Sequence, residues 1–446
     1  MGILGIGVVP LVITVALAIG HYFLRRRRSS GGSRPRRSPW IMRTVSTLLV
    51  GALVIGGTTA FATTVGVGDY IKAANSPYNI GEYHVEPAVT GDGEKRNLVL
   101  IYLESGEETL ANDELFEKDA FLPLKEATPA AEGWQSVQDF QQYDGGGWTM
   151  AGFVSTQCGV PLKGVGSSSS SNSRELDDDG ETYLGGTTCL GDVLEEHGYQ
   201  NVFLGGANSS FAAKDTFLRT HGYTEQMGLS DWRAAGEPES GFRSDWGLSD
   251  ERLMANARDK IDELHAEAEQ TGQPFNLSLL TLDTHEPVHV YDYCDVDTEN
   301  NVTSVFSCSM TEVAGFVEYM KERGYLEDTA VVIMGDHLKH MSAGDAFHEQ
   351  LDHHGNRTIF NRIWIPGQGP DTTLRHGMDQ LSMYPTILEA AGFTLENSEA
   401  GLGVSAFASE VPGDSAQALE PEAYNELLGS LSPRFYGEAW IGSRGE

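Results

Sequence analysis

At 446 residues the chain has room for one large domain or two to three ordinary ones. Eight of its 30 basic residues lie between Arg25 and Arg43 and no acid precedes Asp69, so the remainder sets 22 basic residues against 64 acids, a formal −42. A surface so anionic excludes nucleic acid and anionic lipid as broad docking partners, and fits an exported domain whose self-repulsion is screened by salt.

In chain order, the first features are two uncharged apolar stretches, residues 3–24 and 44–68. Each is long enough to cross a bilayer, which takes about 20 residues. Between them stand Arg25–Arg28, Arg34, Arg36, Arg37 and Arg43. Arginine-rich short loops stay cytoplasmic, so residues 1–68 are predicted to form a transmembrane hairpin with both ends outside. Residues 69–95 read as a linker and 96–446 as an exported catalytic domain. All four cysteines (158, 189, 294 and 308) fall in that domain. An even count outside the cytoplasm predicts two disulfides, and proximity favours Cys158–Cys189 and Cys294–Cys308. With no CxxC, a thiolate metal site is not expected.

From residue 91 onward, strand and helix patterns alternate. Continuous apolar runs at 97–103, 201–204, 275–282, 330–334 and 359–365 predict strands buried on both faces. Helices are expected at 190–196, 251–269, 312–323 and 380–391. The alternation implies an α/β fold, a mostly parallel sheet flanked by helices. Residues 164–180, with serine and aspartate runs, read as a surface insertion, and the tail after Gly401 as a short C-terminal trimming.

Ligands of open parallel sheets bind beyond the carboxyl ends of the strands. Three of the predicted strands are followed by Glu104-Ser105, by Asp283-Thr284-His285 and by Gly335-Asp336-His337. One rim thus receives a carboxylate, a histidine and an Asp-His pair. Such oxygen and nitrogen donors suit Mn²⁺, Mg²⁺ or Zn²⁺. A bland reading of Asp336 as a helix cap and His337 as a surface residue stays open on this pattern alone. The run Gly145-Gly-Gly-Trp-Thr149 precedes an apolar helix-like stretch, which places a hydroxyl at a helix N-terminus, where phosphate is favoured. The alternative is a glycine-rich turn with Thr149 as N-cap.

The segments Asn97–Ser105, Gly147-Trp-Thr-Met-Ala-Gly152, Ser155-Thr-Gln-Cys-Gly-Val-Pro-Leu162, Cys189-Leu-Gly-Asp192, Gly206–Asp215, Asp245-Trp-Gly247 and Gly335-Asp-His-Leu338 resemble the phosphoglycerol transferase I family. That family is related to lipoteichoic acid synthase within the alkaline phosphatase and sulfatase superfamily, and the resemblance covers roughly residues 96–392. It implies an alkaline phosphatase/sulfatase-like fold and one divalent metal, most simply Mn²⁺, held by Glu104, Thr149, Asp336 and His337. It further implies Thr149 as nucleophile, His285 beside the phosphoglycerol, phosphatidylglycerol as donor and a periplasmic glucan as acceptor. The implied location is a bacterial cytoplasmic membrane, with the catalytic domain on the periplasmic side. The Trp-x-Arg phosphate clamp of lipoteichoic acid synthases is not preserved: Phe211 takes the aromatic place and Ala213 that of the arginine, with Lys214 alongside as a point charge. Trp148, Phe211, Lys214, Arg357 and His376 are the candidate substrate-binding residues, and Arg357, Arg362 and His376 equally fit fold support. His340, His348, His353 and His354 read as a solvated loop.

Other readings are a phosphodiesterase, a phosphoethanolamine transferase or a lipoteichoic acid-type polymerase and, from a different class, an inactive envelope binding protein. Arylsulfatase is disfavoured, because the Cys/Ser-x-Pro-x-Arg maturation signal is missing; Cys158-Gly-Val-Pro161 has the wrong spacing.

Overall fold

The computed structural model describes residues 66–441 apart from 165–181, 245, 343 and 370–372, together with isolated positions before residue 66. The predicted spans lie almost wholly outside the described residues, as does the insertion at 164–180; among the described residues no helix is long and apolar enough to cross a membrane. The chain divides into two units, Met1–Asn75 and Ser76–Glu446, and every candidate site residue belongs to the second.

The centre of that second unit is a six-stranded sheet of β1 (Asn97–Leu103), β2 (Gln200–Gly205), β3 (Tyr223–Met227), β4 (Phe275–Leu280), β5 (Thr329–Gly335) and β6 (Asn361–Trp364), in the order β3-β2-β4-β1-β5-β6. All neighbours run parallel except β6, which pairs antiparallel with β5 at the edge. The sheet is therefore mixed. All seven residues of β1 are buried. Its successive side chains enter opposite cores, Leu98, Leu100 and Tyr102 on one face and Val99, Ile101 and Leu103 on the other, as the two-residue period of a strand dictates.

On the first face pack α1 (Thr149–Cys158), α2 (Leu190–Glu196), α3 (Lys214–Thr220) and α6 (Met383–Ala390). The second face carries α4 (Asp250–Thr271) and α5 (Asn301–Arg323). Strand β3 was not anticipated: only its first residue is buried, and Tyr-Thr-Glu-Gln-Met offers no apolar run. Helix α5 begins eleven residues before its expected start, because the Asn300 side chain caps it through Val302 N and its first turns are rich in serine. The tail is more than a trimming. Helices Pro421–Gly429 and Pro433–Ala439 build a third core with Ile80, Tyr143, Leu381 and Leu402, and strand Val89–Asp92 pairs with Phe393–Leu395. Both disulfides form as expected, Cys158–Cys189 and Cys294–Cys308.

Candidate active site

Glu104 leaves the end of β1 and Asp336 and His337 leave the end of its neighbour β5, so adjacent strands deliver all three to one point. Their ligand atoms lie within 4.8 Å of one another, and all three residues are buried. His337 Nε2 stands 3.7 Å from Glu104 Oε1 and 3.6 Å from Asp336 Oδ2, too far for hydrogen bonds. His337 Nδ1 donates to the Leu338 carbonyl at 2.7 Å, which leaves Nε2 as the ring nitrogen facing the carboxylates. Asp336 Oδ1 accepts from Ser105 N and His337 N, both at 2.8 Å. Asp336 Oδ2 has no hydrogen-bond partner among the described residues although it is buried.

Charge in the cluster is correspondingly strained. Burial, and then the Glu104 carboxylate, push the Asp336 carboxyl up to about 7. Burial also raises Glu104, but His337 and His285 outweigh it and hold that carboxyl below its ordinary value. For His337, burial is overcome by Asp336 and Glu104, and its pKa is raised. Two carboxylates and an imidazole nitrogen, with one buried oxygen lacking a hydrogen bond, form a group that could hold a small divalent cation.

Thr149 is the first residue of α1, not its cap. Trp148 holds the N-cap position in extended conformation with no capping hydrogen bond, and its side chain is half-buried against the first core. Thr149 Oγ1 lies 3.3 Å from Glu104 Oε2, so the hydroxyl joins the cluster. The helix reaches this position because residue 152 is glycine: a methyl there would overlap the Asp336 carbonyl oxygen, which accepts from Gln380 Nε2 at 2.7 Å.

Lys214, the first residue of α3, is buried and follows two left-handed alanines, Ala212 and Ala213 (φ 55° and 54°). Burial pulls its ammonium down to about 8 against the pull of Glu104, Asp336 and Asp215. Phe211 beside it is exposed. His285 lines a cavity of about 240 Å³ together with Glu104, Ser105, Thr284, Glu286, Lys339 and His340. Its Nδ1 donates to the Glu286 carbonyl at 2.8 Å; Thr284 Oγ1 donates to the Glu104 carbonyl at 2.6 Å.

Other sequence candidates fall elsewhere. The Arg357 guanidinium is engaged by both Glu107 oxygens and the Lys339 carbonyl. Arg362 lies against the Phe360 ring and its own strand. His376 is exposed. His340, grouped in the sequence with loop histidines, instead packs edge-on to His337 at 5.0 Å and lines the cavity. Its placement three residues past the Asp-His pair was the available signal.

Residues 96–393 match the sulfatase family. The chain is 33% identical over 351 residues to phosphoglycerol transferase I of Salmonella arizonae, an alignment covering 75% of this chain and 42% of the relative. It thus spans less than half the length of that protein. Among solved structures, a member of the alkaline phosphatase superfamily from Vibrio parahaemolyticus shares the fold with a TM-score of 0.54 at 20% identity, covering 78% of each chain. The lipoteichoic acid synthase LtaP from Listeria monocytogenes does so at 0.52 and 16%, covering 72% of this chain and 76% of the other.

Proposed function

We propose, from the premise that this chain belongs to the sulfatase family, that it transfers phosphoglycerol from phosphatidylglycerol to a hydroxyl of a periplasmic glucan by way of a phosphothreonyl intermediate at Thr149. The observation that carries this reading is the Thr149 hydroxyl, 3.3 Å from Glu104 in a buried carboxylate–histidine cluster whose Asp336 Oδ2 has no hydrogen-bond partner among the described residues. Glu104, Thr149, Asp336 and His337 would hold one divalent cation, with Mn²⁺ preferred and Mg²⁺ or Zn²⁺ alternatives. Bound there, the ion would supply Lewis acidity and lower the pKa of the hydroxyl.

Thr149 Oγ1, deprotonated, attacks the lipid phosphorus, and the bond to the diacylglycerol oxygen breaks. The α1 N-terminus turns its free N–H groups toward the phosphoryl oxygens, and the Lys214 ammonium offsets their charge. His285, its Nδ1 hydrogen fixed on the Glu286 carbonyl, protonates the departing glyceride oxygen from Nε2. The same atom, now neutral, takes the proton of the acceptor hydroxyl that displaces Thr149. Trp148 and Phe211 line the approach. Donor and acceptor are taken from the similarity to phosphoglycerol transferase I. The hairpin at 1–68 would hold 96–446 at the outer face of a bacterial cytoplasmic membrane, beside its lipid.

Incubation with phosphatidylglycerol alone should leave a phosphoglycerol adduct on the peptide containing Thr149, which added glucan discharges. An adduct on another residue would move the nucleophile. No adduct and no transfer in the metal-loaded protein would sink the reading.

A further inference from the structure

A short hairpin pairs Phe242 with Leu248 and Arg243 with Gly247, and it closes over the segment that carries His285. Gly247 presses against Gly206 and Leu282 so closely that a methyl on it would overlap both, and Leu248 N donates to the Gly206 carbonyl at 3.0 Å. The hairpin therefore has one seat. From it Arg243, only 7% exposed, donates to the His285 carbonyl at 2.8 Å and also to the Pro287 carbonyl. Its guanidinium lies 4.6 Å from the Trp246 ring centre, while that ring lies 4.6 Å from the His285 imidazole at 55°. Arg243 thus grips the backbone on both sides of Glu286, and Trp246 braces the ring.

We infer that Arg243 and Trp246 are positioning residues for His285, fixing the imidazole so that Nε2 faces the cavity beside Glu104. The inference rests on the catalytic role proposed for His285. Two observations separate it from plain packing. Trp246 is 43% exposed, so its indole is not there to fill a core. Among the described residues the His285 ring has one hydrogen bond, through Nδ1, and Trp246 supplies a second constraint on its plane. A displacement of about 1 Å in a proton-transfer group is enough to slow a reaction by up to about 100-fold.

The test compares Trp246→Ala, Trp246→Phe, His285→Ala and the His285→Ala/Trp246→Ala double variant in the full-length, metal-loaded protein. Phosphatidylglycerol is the donor, and the His285 Cε1–H resonance is followed by NMR with diamagnetic Mg²⁺ or Zn²⁺ as the loaded ion. Trp246→Ala should lower kcat about 10-fold at unchanged KM, Trp246→Phe should restore most of it, and Trp246→Ala should add no further loss on the His285→Ala background. The His285 resonance should move in Trp246→Ala as the indole ring current is lost, and return part of the way in Trp246→Phe. A Trp246→Ala loss of equal size with and without His285, or a loss expressed only in KM, overturns the inference. If His285→Ala retains full activity, the catalytic reading of His285 fails instead, and an unmoved resonance in Trp246→Ala then overturns the positioning as well.

Discussion

At the first position of a helix, threonine contributes little to stability that alanine does not, and Thr149 caps nothing. Thr149→Ala should therefore leave the melting temperature near that of the wild type while transfer falls by several orders of magnitude, as when a covalent nucleophile is removed. Calorimetric titration with Mn²⁺ should still show binding through Glu104, Asp336 and His337. Arg357 makes the opposite case. It neutralises Glu107, a carboxylate with no exposure at all. Arg357→Ala should cost about 3–5 kcal/mol in chemical denaturation, because it strands a buried charge, and any purified remainder should keep its KM. Sequence alone could not separate these roles, since an arginine that holds a phosphate and one that holds Glu107 look alike. Glu104, Asp336 and His337 were legible because each directly follows an apolar strand. His340 was not singled out from the loop histidines: its place three residues past the Asp-His pair was the one signal, and its contact with His337 arises from how the loop folds back.

Among elements, α1 decides whether the site exists. Nine of its ten residues are buried, so it has no solvent-facing side, and the sequence showed an apolar helix-like stretch without saying how it is held. Four ties hold it: the backbone contact at Gly152, Tyr102 Oη to Thr156 Oγ1 at 2.9 Å, Gln157 to Tyr223 at 3.0 Å, and the Cys158–Cys189 bond. The Gln157 tie runs to Tyr223 at the start of β3, the strand that composition concealed. Because Gly152 meets main chain rather than a side chain that can rotate away, Gly152→Ala must push α1 off β5. The expected result is about 1–3 kcal/mol of destabilisation with a much larger loss of turnover, read by denaturant melts and transfer assays. A variant as active as wild type would show that Thr149 does not need this register.

For the whole molecule, the alternation of apolar runs revealed the layered sheet, but not the third core, in which the C-terminal helices meet residues near position 80. Asp379 joins these parts: it accepts from Tyr424 Oη at 2.6 Å and caps the turn at Gln380–Ser382. Burial raises its carboxyl to about 6. The folded protein thus binds this proton more tightly than the unfolded chain does, so the associated stability is complete below about pH 4 and is lost as the pH rises through 6. Asp379→Asn, which imitates the protonated acid, should gain on the wild type across that window by up to about 3 kcal/mol. Denaturant midpoints measured from pH 4 to 7 would expose the trend. A difference that stays flat with pH would mean that Asp379 remains ionised in the fold.

The Cys158–Cys189 bond also spans the polar stretch at 165–181. A protease that cuts there would divide the chain without parting it. Glu104 and Thr149 would sit on one fragment, and Asp336 and His337 on the other, joined by a single covalent stitch. Such a nicked protein should run as one band until it is reduced and as two afterwards, and it should keep working in between. The chain is, in effect, already laid out as a two-piece enzyme.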